Sequence, residues 1–194
     1  AKDMRSTFYL RVFRKHLGMY LCGFGAEWLF ASIFTYFVIF VLQHDPAMVA
    51  GLNSLNSILQ LISTALFIGL CVKKGFSKPY IIALCIVIFA VFLYTSLWFF
   101  HLPVHLATIL MFGITILFGL GTGGVYYIPW TVYTFLADVD EVYTGRRREG
   151  IYAGAMTFSG KILRSIIVFV MGAILSYYGF QSKAHVQPES AVNA

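Results

Sequence analysis

Charged side chains are scarce in this sequence of 194 residues: they make up 11% of the chain, against about 25% in soluble domains. A soluble fold of this length needs more polar residues to cover its surface, so that class is excluded. Three cysteines are too few for a disulfide scaffold, and 18% aromatic residues exclude a disordered chain. Hydrophobic residues make up 59% of the sequence, and this excess predicts a protein that lies in lipid.

The apolar residues form five runs, and each is long enough to cross a hydrocarbon core, which requires about 20 helical residues. The runs cover residues 17–42, 48–72, 80–100, 106–136 and 150–178. Charged residues, proline or glycine separate them. The sequence therefore predicts an all-α, polytopic membrane protein with five transmembrane helices.

Basic residues are distributed unevenly between the connections. Eleven of the fourteen lie in three stretches that alternate crossing would bring to one side of the membrane. The stretches are a basic segment at 1–16, the connection at 73–78 and a charged loop at 137–149. By the positive-inside rule that side is cytoplasmic, so the N-terminus is predicted inside and the tail of residues 179–194 outside the cell (inner) membrane.

Ionisable residues within an apolar run are costly in lipid and are therefore candidates for function. Glu27 in the first run and Lys161 in the fifth are predicted near the midplane, and Arg164 shares a helical face with Lys161. One interpretation is that these three side chains line a water-filled path for a polar solute or ion. The alternative is a structural ion pair between Glu27 and Lys161.

The second run carries a polar stripe at helical spacings of three and four residues. Its members are Asn53, Asn56, Gln60 and Thr64. We expect Gln60 at the midplane, where its amide can exchange hydrogen bonds with a hydroxyl-rich solute. Hydrogen bonding between helices is the alternative for each member.

The fourth run has 31 residues. As a straight helix it would measure about 46 Å, against about 30 Å of hydrocarbon. Gly119 and Gly123 have the small-xxx-small spacing that allows helices to pack closely. Pro129 lacks a backbone donor and is predicted to kink or break the helix. Interrupted helices occur at transporter binding sites and also as packing devices, and both interpretations stay open.

Residues of both signs form a dense block between the fourth and fifth runs. They are Asp138, Asp140, Glu141, Arg146, Arg147, Arg148 and Glu149. The block lacks the glycine spacing of a phosphate-binding loop, and its acidic residues oppose that use. Salt bridges that act as a cytoplasmic gate between helix ends fit the mixture better. The three cysteines do not have metal-ligand spacing, so no metal is expected.

Motifs in and around this block resemble the glycoside–pentoside–hexuronide:cation symporter family of the major facilitator superfamily, to which the melibiose carrier belongs. They are Phe135-Leu136-Ala137-Asp138, the sequence TGRRREGIY at 144–152, and Lys161 eleven residues after Gly150. The sequence FRKHLGMY at 13–20 is similar to the entry of the family's seventh helix. The sequence KKGFSK at 73–78 is similar to the connection after its eighth.

The resemblance implies a cation-coupled symporter of a sugar, glycoside or sugar acid that works by alternating access. It also implies a fragment, because the family has twelve helices and this chain corresponds to helices seven to eleven, in the C-terminal half. Lys161, Thr157 and Met156 would then lie at the sugar cavity, and Tyr126 would stack on a sugar face. The coupling cation, Na+ or H+, is expected mainly in the N-terminal half, which is an expected partner together with membrane lipid.

Other functions stay open. A superfamily transporter of another cargo, such as a lipid or an organic anion, would suit the basic pair Lys161 and Arg164. A non-transporting membrane subunit is a further alternative. An enzyme is not expected, because no paired carboxylates, nucleophile–base set or metal cluster is predicted at midplane depth. Neither a cofactor nor a nucleic-acid partner is expected.

Overall fold

The computed structural model describes residues 10–100, 102–145 and 148–180, apart from the side chains of residues 143 and 144. In that part of the chain five long helices are present and no strand. They are α1 (Arg11–Tyr36, continued by a π-helical turn at Phe37–Val41), α2 (Pro46–Lys74), α3 (Ser77–Phe100), α4 (Val104–Thr144) and α5 (Glu149–Tyr177). All five are long and apolar enough to cross a membrane, which confirms the all-α polytopic class.

The helix ends follow from local sequence signals. α2 begins at Pro46. An N–H group at this position has no acceptor within the helix, so proline loses no hydrogen bond there, and its fixed φ suits a helix start. Gly75 ends α2 with a φ of 71°, and Gly145 ends α4 in the left-handed conformation with a φ of 65°. A side chain at either position would be strained, so glycine sets both ends.

Two predicted boundaries are wrong. Residues 137–144 of the predicted charged loop are helical and extend α4 to Thr144, and α1 begins at Arg11, within the predicted segment 1–16. In the extension Ala137 and Asp140 are buried whereas Asp138 is exposed. Asp138 and Asp140 therefore lie on different faces of one helix, and the charged residues do not end α4. Arg146, Arg147 and residues 181–194 of the predicted tail lie outside the described residues.

Of the two predicted effects of Pro129, a kink or a break, the break is wrong. α4 runs through Pro129 without interruption, and the proline ring is fully buried. A proline removes one hydrogen bond, and close neighbouring helices hold the rest of the helix in place. The buried proline ring therefore contributes to helix packing.

α4 is the central helix of the bundle. It packs extensively against α2 and α3, while α1 lies against both α4 and α5. α5 contacts α1 more than any other helix, and most of its surface is exposed. The polar and ionisable residues of α1, α2 and α5 are thus arranged around α4.

Glycines allow α4 to approach both of its main neighbours closely. A Cβ at Gly123 would lie 2.7 Å from Ser63 Cβ on α2, and one at Gly119 would lie 2.7 Å from Leu59 Cβ. On the other side, a Cβ at Gly121 would lie 2.7 Å from the Val87 side chain on α3. The predicted close packing at Gly119 and Gly123 is confirmed, and α2 is their partner.

We expect Gly123→Ala to destabilise the bundle by about 1–3 kcal/mol, because the new methyl group meets α2 backbone that cannot move aside. The matched control is Gly113→Ala in the same helix, where a Cβ meets nothing within 4 Å. The control is expected to gain up to about 1 kcal/mol from the higher helix propensity of alanine. Thermal unfolding of the full-length protein in detergent measures both, and equal melting temperatures for the two variants would contradict the packing argument.

Candidate solute-binding site

A groove of about 650 Å³ lies between α2 and α4. Its lining is polar and aromatic, with one aliphatic side chain. The lining residues are Ser57, Gln60, Leu61, Thr64, Tyr126, Tyr127, Trp130, Thr131 and Thr134. The polar stripe predicted on α2 therefore reaches this groove through Gln60 and Thr64, and it meets the aromatic segment of α4 there.

The hydroxyl groups of the groove donate their hydrogens to their own helices. Thr64 Oγ1 donates to the Gln60 carbonyl over 2.8 Å, and Thr131 Oγ1 donates to the Tyr127 carbonyl over 3.1 Å. Ser57 and Thr134 bond in the same way. Each hydroxyl oxygen consequently presents lone pairs to the groove, and these accept hydrogen bonds from a solute rich in O–H groups.

An aromatic cluster of α1 and α4 adjoins the groove. Tyr126 packs edge-on against Phe24 with ring centroids 4.7 Å apart, and Trp130 packs against Tyr20 at 5.8 Å. Trp28 extends the cluster toward α5, where a Cβ at Gly160 would lie 3.1 Å from its ring. Tyr126 and Trp130 belong to both the cluster and the groove, so packing fixes the position of two aromatic rings that line the groove.

Glu27 lies at the junction of the cluster with α5. Its carboxylate interacts with the hydroxyl of Tyr126 and, electrostatically, with Arg164. The charged neighbour of Glu27 is thus Arg164, and the alternative of a Glu27–Lys161 pair is wrong. Arg164 lies three residues beyond Lys161, nearly one helical turn, and this places its guanidinium at the level of Glu27.

The predicted cavity residues of α5 divide between its two faces. Thr157, Lys161 and Arg164 are exposed on one face, at spacings of four and three residues. Among the described residues no hydrogen bond or ion pair involves the Lys161 ammonium group. Met156 is fully buried in a cluster with Tyr20 and Tyr152. Met156 therefore does not line the groove, and its side chain fills the α1–α5 interface.

A second, smaller cavity of about 90 Å³ lies where α1, α2, α3 and α4 meet. Asn53 and Asn56 line it together with Glu27, so the polar stripe of α2 serves two different cavities. Tyr94 of α3 and Thr115 of α4 also line it. The sequence analysis did not single out Tyr94 or Thr115, and the available signal was a lone hydroxyl within each apolar run.

Within the described part of the predicted gate, Arg148 and Asp140 form an ion pair. Arg148 Nε donates to Asp140 Oδ2 over 2.8 Å, and its Nη2 donates to Oδ1 over 2.7 Å. The Asp140 side chain is 2% exposed, and the pair joins the end of α4 to the start of α5. Glu149 lies in the first turn of α5, where a carboxylate favours the helix dipole. Asp138 is exposed to solvent.

Comparison with known proteins identifies the architecture. The sequence matches the family described as MFS/sugar transport protein over residues 1–194. The chain belongs to this family. The family match confirms the resemblance drawn from the motifs at 135–161 and points to a multi-pass transporter family rather than an enzyme.

One similar protein is an uncharacterized symporter of Synechocystis sp. (strain ATCC 27184 / PCC 6803 / Kazusa). The two are 30% identical over 202 residues, which cover 98% of this chain and 35% of that protein. The chain thus spans about a third of the length of the curated relative that it matches. No solved structure gives a significant match.

Proposed function

We propose that this chain forms part of the C-terminal half of a cation-coupled symporter for a sugar, glycoside or sugar acid. The observation that carries the proposal is the α2–α4 groove, in which hydroxyl acceptors, one amide and two packed aromatic rings face a single space. Family membership supports a solute of this class, and the name of the Synechocystis relative supports symport.

The groove suits a sugar for two separate physical reasons. Its hydroxyl lone pairs accept hydrogen bonds from the solute, and the Gln60 amide supplies both donors and an acceptor. The faces of Tyr126 and Trp130 offer apolar surface against which the C–H face of a sugar ring can pack. A purely apolar cargo would leave the Gln60 amide and the hydroxyl lone pairs of the groove without partners.

In the proposed mechanism the solute and a cation, Na+ or H+, bind between this half and the N-terminal half. The two halves then rock around the solute. Lys161 supplies a positive charge at the α5 face of the cavity. The Asp140–Arg148 pair holds α4 and α5 together at the cytoplasmic end, which the positive-inside rule assigns to the side of the N-terminus.

Solute uptake by the full-length carrier in proteoliposomes tests the role of the groove. We expect Gln60→Ala to raise the half-saturating sugar concentration about two- to tenfold, the value of one or two lost hydrogen bonds. The matched control is Ser54→Ala, which alters an exposed residue on α2 outside the groove. Unchanged uptake by Gln60→Ala would remove the groove from the proposal.

An organic anion is the second candidate cargo. Lys161 is exposed without an anionic partner among the described residues, and Arg164 lies on the same face. Competition of uptake by neutral sugars and by sugar acids separates the two candidates. Inhibition by sugar acids and other carboxylates, with none by neutral sugars, would favour the anion.

A further inference from the structure

The small cavity at the junction of α1 to α4 contains an unusual concentration of oxygen acceptors. Glu27, Asn53, Asn56, Tyr94 and Thr115 all line it. The remaining lining is apolar and consists of Phe30, Ala31, Phe34, Leu52 and Phe118. Five oxygen-bearing side chains from four helices therefore line one small space, and Asn53 among them is exposed.

Two of these acceptors are buried without a partner. Within the described part of the chain, neither Glu27 Oε2 nor Asn56 Oδ1 has a hydrogen-bond donor. Tyr126, which approaches the same carboxylate, lines the groove and not this cavity. A buried carboxylate oxygen without a partner costs several kcal/mol, on the order of the desolvation of a charged group, so it calls for a positively charged or donating ligand.

The two hydroxyl groups of the cavity do not supply that donor. Thr115 Oγ1 donates to the Met111 carbonyl over 2.8 Å, and the Tyr94 hydroxyl bonds to the same carbonyl over 3.2 Å and to Thr115 Oγ1. Both hydroxyl hydrogens are thus used within the protein. What faces the cavity is their lone pairs, which add to the acceptor excess.

We infer that this cavity binds a monovalent cation with the size and oxygen preference of Na+. Carboxylate, amide and hydroxyl oxygens are the ligands that hard cations prefer. The cavity carries one carboxylate, whose charge an ion would share with Arg164, and its other oxygens are neutral. Its volume of about 90 Å³ also leaves room for a water beside the ion.

The site goes beyond the proposed function, in which the cation is expected mainly in the N-terminal half. Glu27 connects it to the groove, because the same carboxylate interacts with Tyr126. An ion in the cavity would compete with Tyr126 and Arg164 for the charge of Glu27. Cation binding in this cavity is thereby linked to the position of an aromatic ring at the solute.

Equilibrium binding of radioactive sodium to the full-length carrier in lipid nanodiscs tests the inference. We expect Glu27→Gln, which keeps the side-chain shape and removes the charge, to bind one sodium ion fewer per carrier than wild type. Thr115→Val replaces a ligand oxygen by a methyl group of similar shape. We expect it to weaken the affinity of that ion about tenfold.

The matched control is Asp45→Asn, which neutralises an exposed carboxylate before α2 and is expected to leave the number of bound ions unchanged. Only variants with the melting temperature of the wild type are compared. If Glu27→Gln does not fold, Thr115→Val tests the inference in its place. Wild-type sodium stoichiometry and affinity in these variants would overturn the inference. Sodium binding is measured without a solute, so its result tests the cation site independently of sugar transport.

Discussion

Lys161→Ala is expected to reduce sugar uptake by the full-length carrier at least about tenfold while leaving its abundance in the membrane unchanged. The loss of a charge-assisted hydrogen bond costs about 1.5–3 kcal/mol, which corresponds to roughly 10- to 150-fold. The Lys161 side chain is exposed on α5 and makes no ion pair within the described residues, so its removal leaves no orphaned partner inside this bundle. We therefore expect the substitution of Lys161 to reduce uptake without reducing the stability of the fold.

The control for Lys161→Ala is Lys78→Ala, which removes an exposed lysine from the first turn of α3, away from the groove. Initial rates in proteoliposomes, corrected for the amount of carrier, compare the two variants. Lys161→Arg keeps the charge and is expected to recover part of the uptake if charge is what matters. Wild-type uptake by Lys161→Ala would contradict the role in transport that we propose for this residue.

Asp140→Asn is expected to destabilise the protein by about 3–5 kcal/mol, because it removes the charge of a buried carboxylate that accepts two hydrogen bonds from the largely buried Arg148 guanidinium. The two parallel hydrogen bonds of this pair are the described salt bridge between the end of α4 and the start of α5. Their loss frees the end of α4 from the start of α5. We expect a lower melting temperature together with faster proteolysis of the α4–α5 connection.

The control for Asp140→Asn is Asp138→Asn, which changes the same residue type two positions away on the exposed face of α4. Its effect on stability is expected to stay within about 0.5 kcal/mol. The double variant of Asp140→Asn with Arg148→Gln is expected to be less damaging than the sum of the single variants. Additive effects would show that the pair does not act as a unit.

The helices were predictable from the sequence, whereas their ends were less so. Five apolar runs gave five helices because burial of backbone groups in lipid leaves few other structures. The end of α4 was missed because charge was taken as a loop signal, although Asp138 and Asp140 lie on different faces of one amphipathic helix. The effect of Pro129 was overestimated because a buried helix is held by its neighbours as well as by its own hydrogen bonds.

The sequence predicted polar and aromatic residue types for the candidate site, but it did not predict which of these residues line the same cavity. The polar stripe of α2 was read as one face, but Asn53 and Asn56 line one cavity while Gln60 and Thr64 line another. A period of 3.6 residues states which side chains share a face and does not state which neighbours that face meets. Whether Gln60 and Thr157 contact a solute stays a prediction.

The sequence by itself determined the class of this protein: scarce charge and five long apolar runs require a helical membrane protein, and motifs near Lys161 indicate its family. Only the tertiary structure decided which polar groups meet. It brings Arg164 within electrostatic reach of Glu27, buries Met156 within a helix interface and brings Tyr94 and Thr115 to the oxygen-lined cavity. The reason is physical: partners from different helices depend on helix rotation and close approach, which glycines such as Gly123 set by packing between helices.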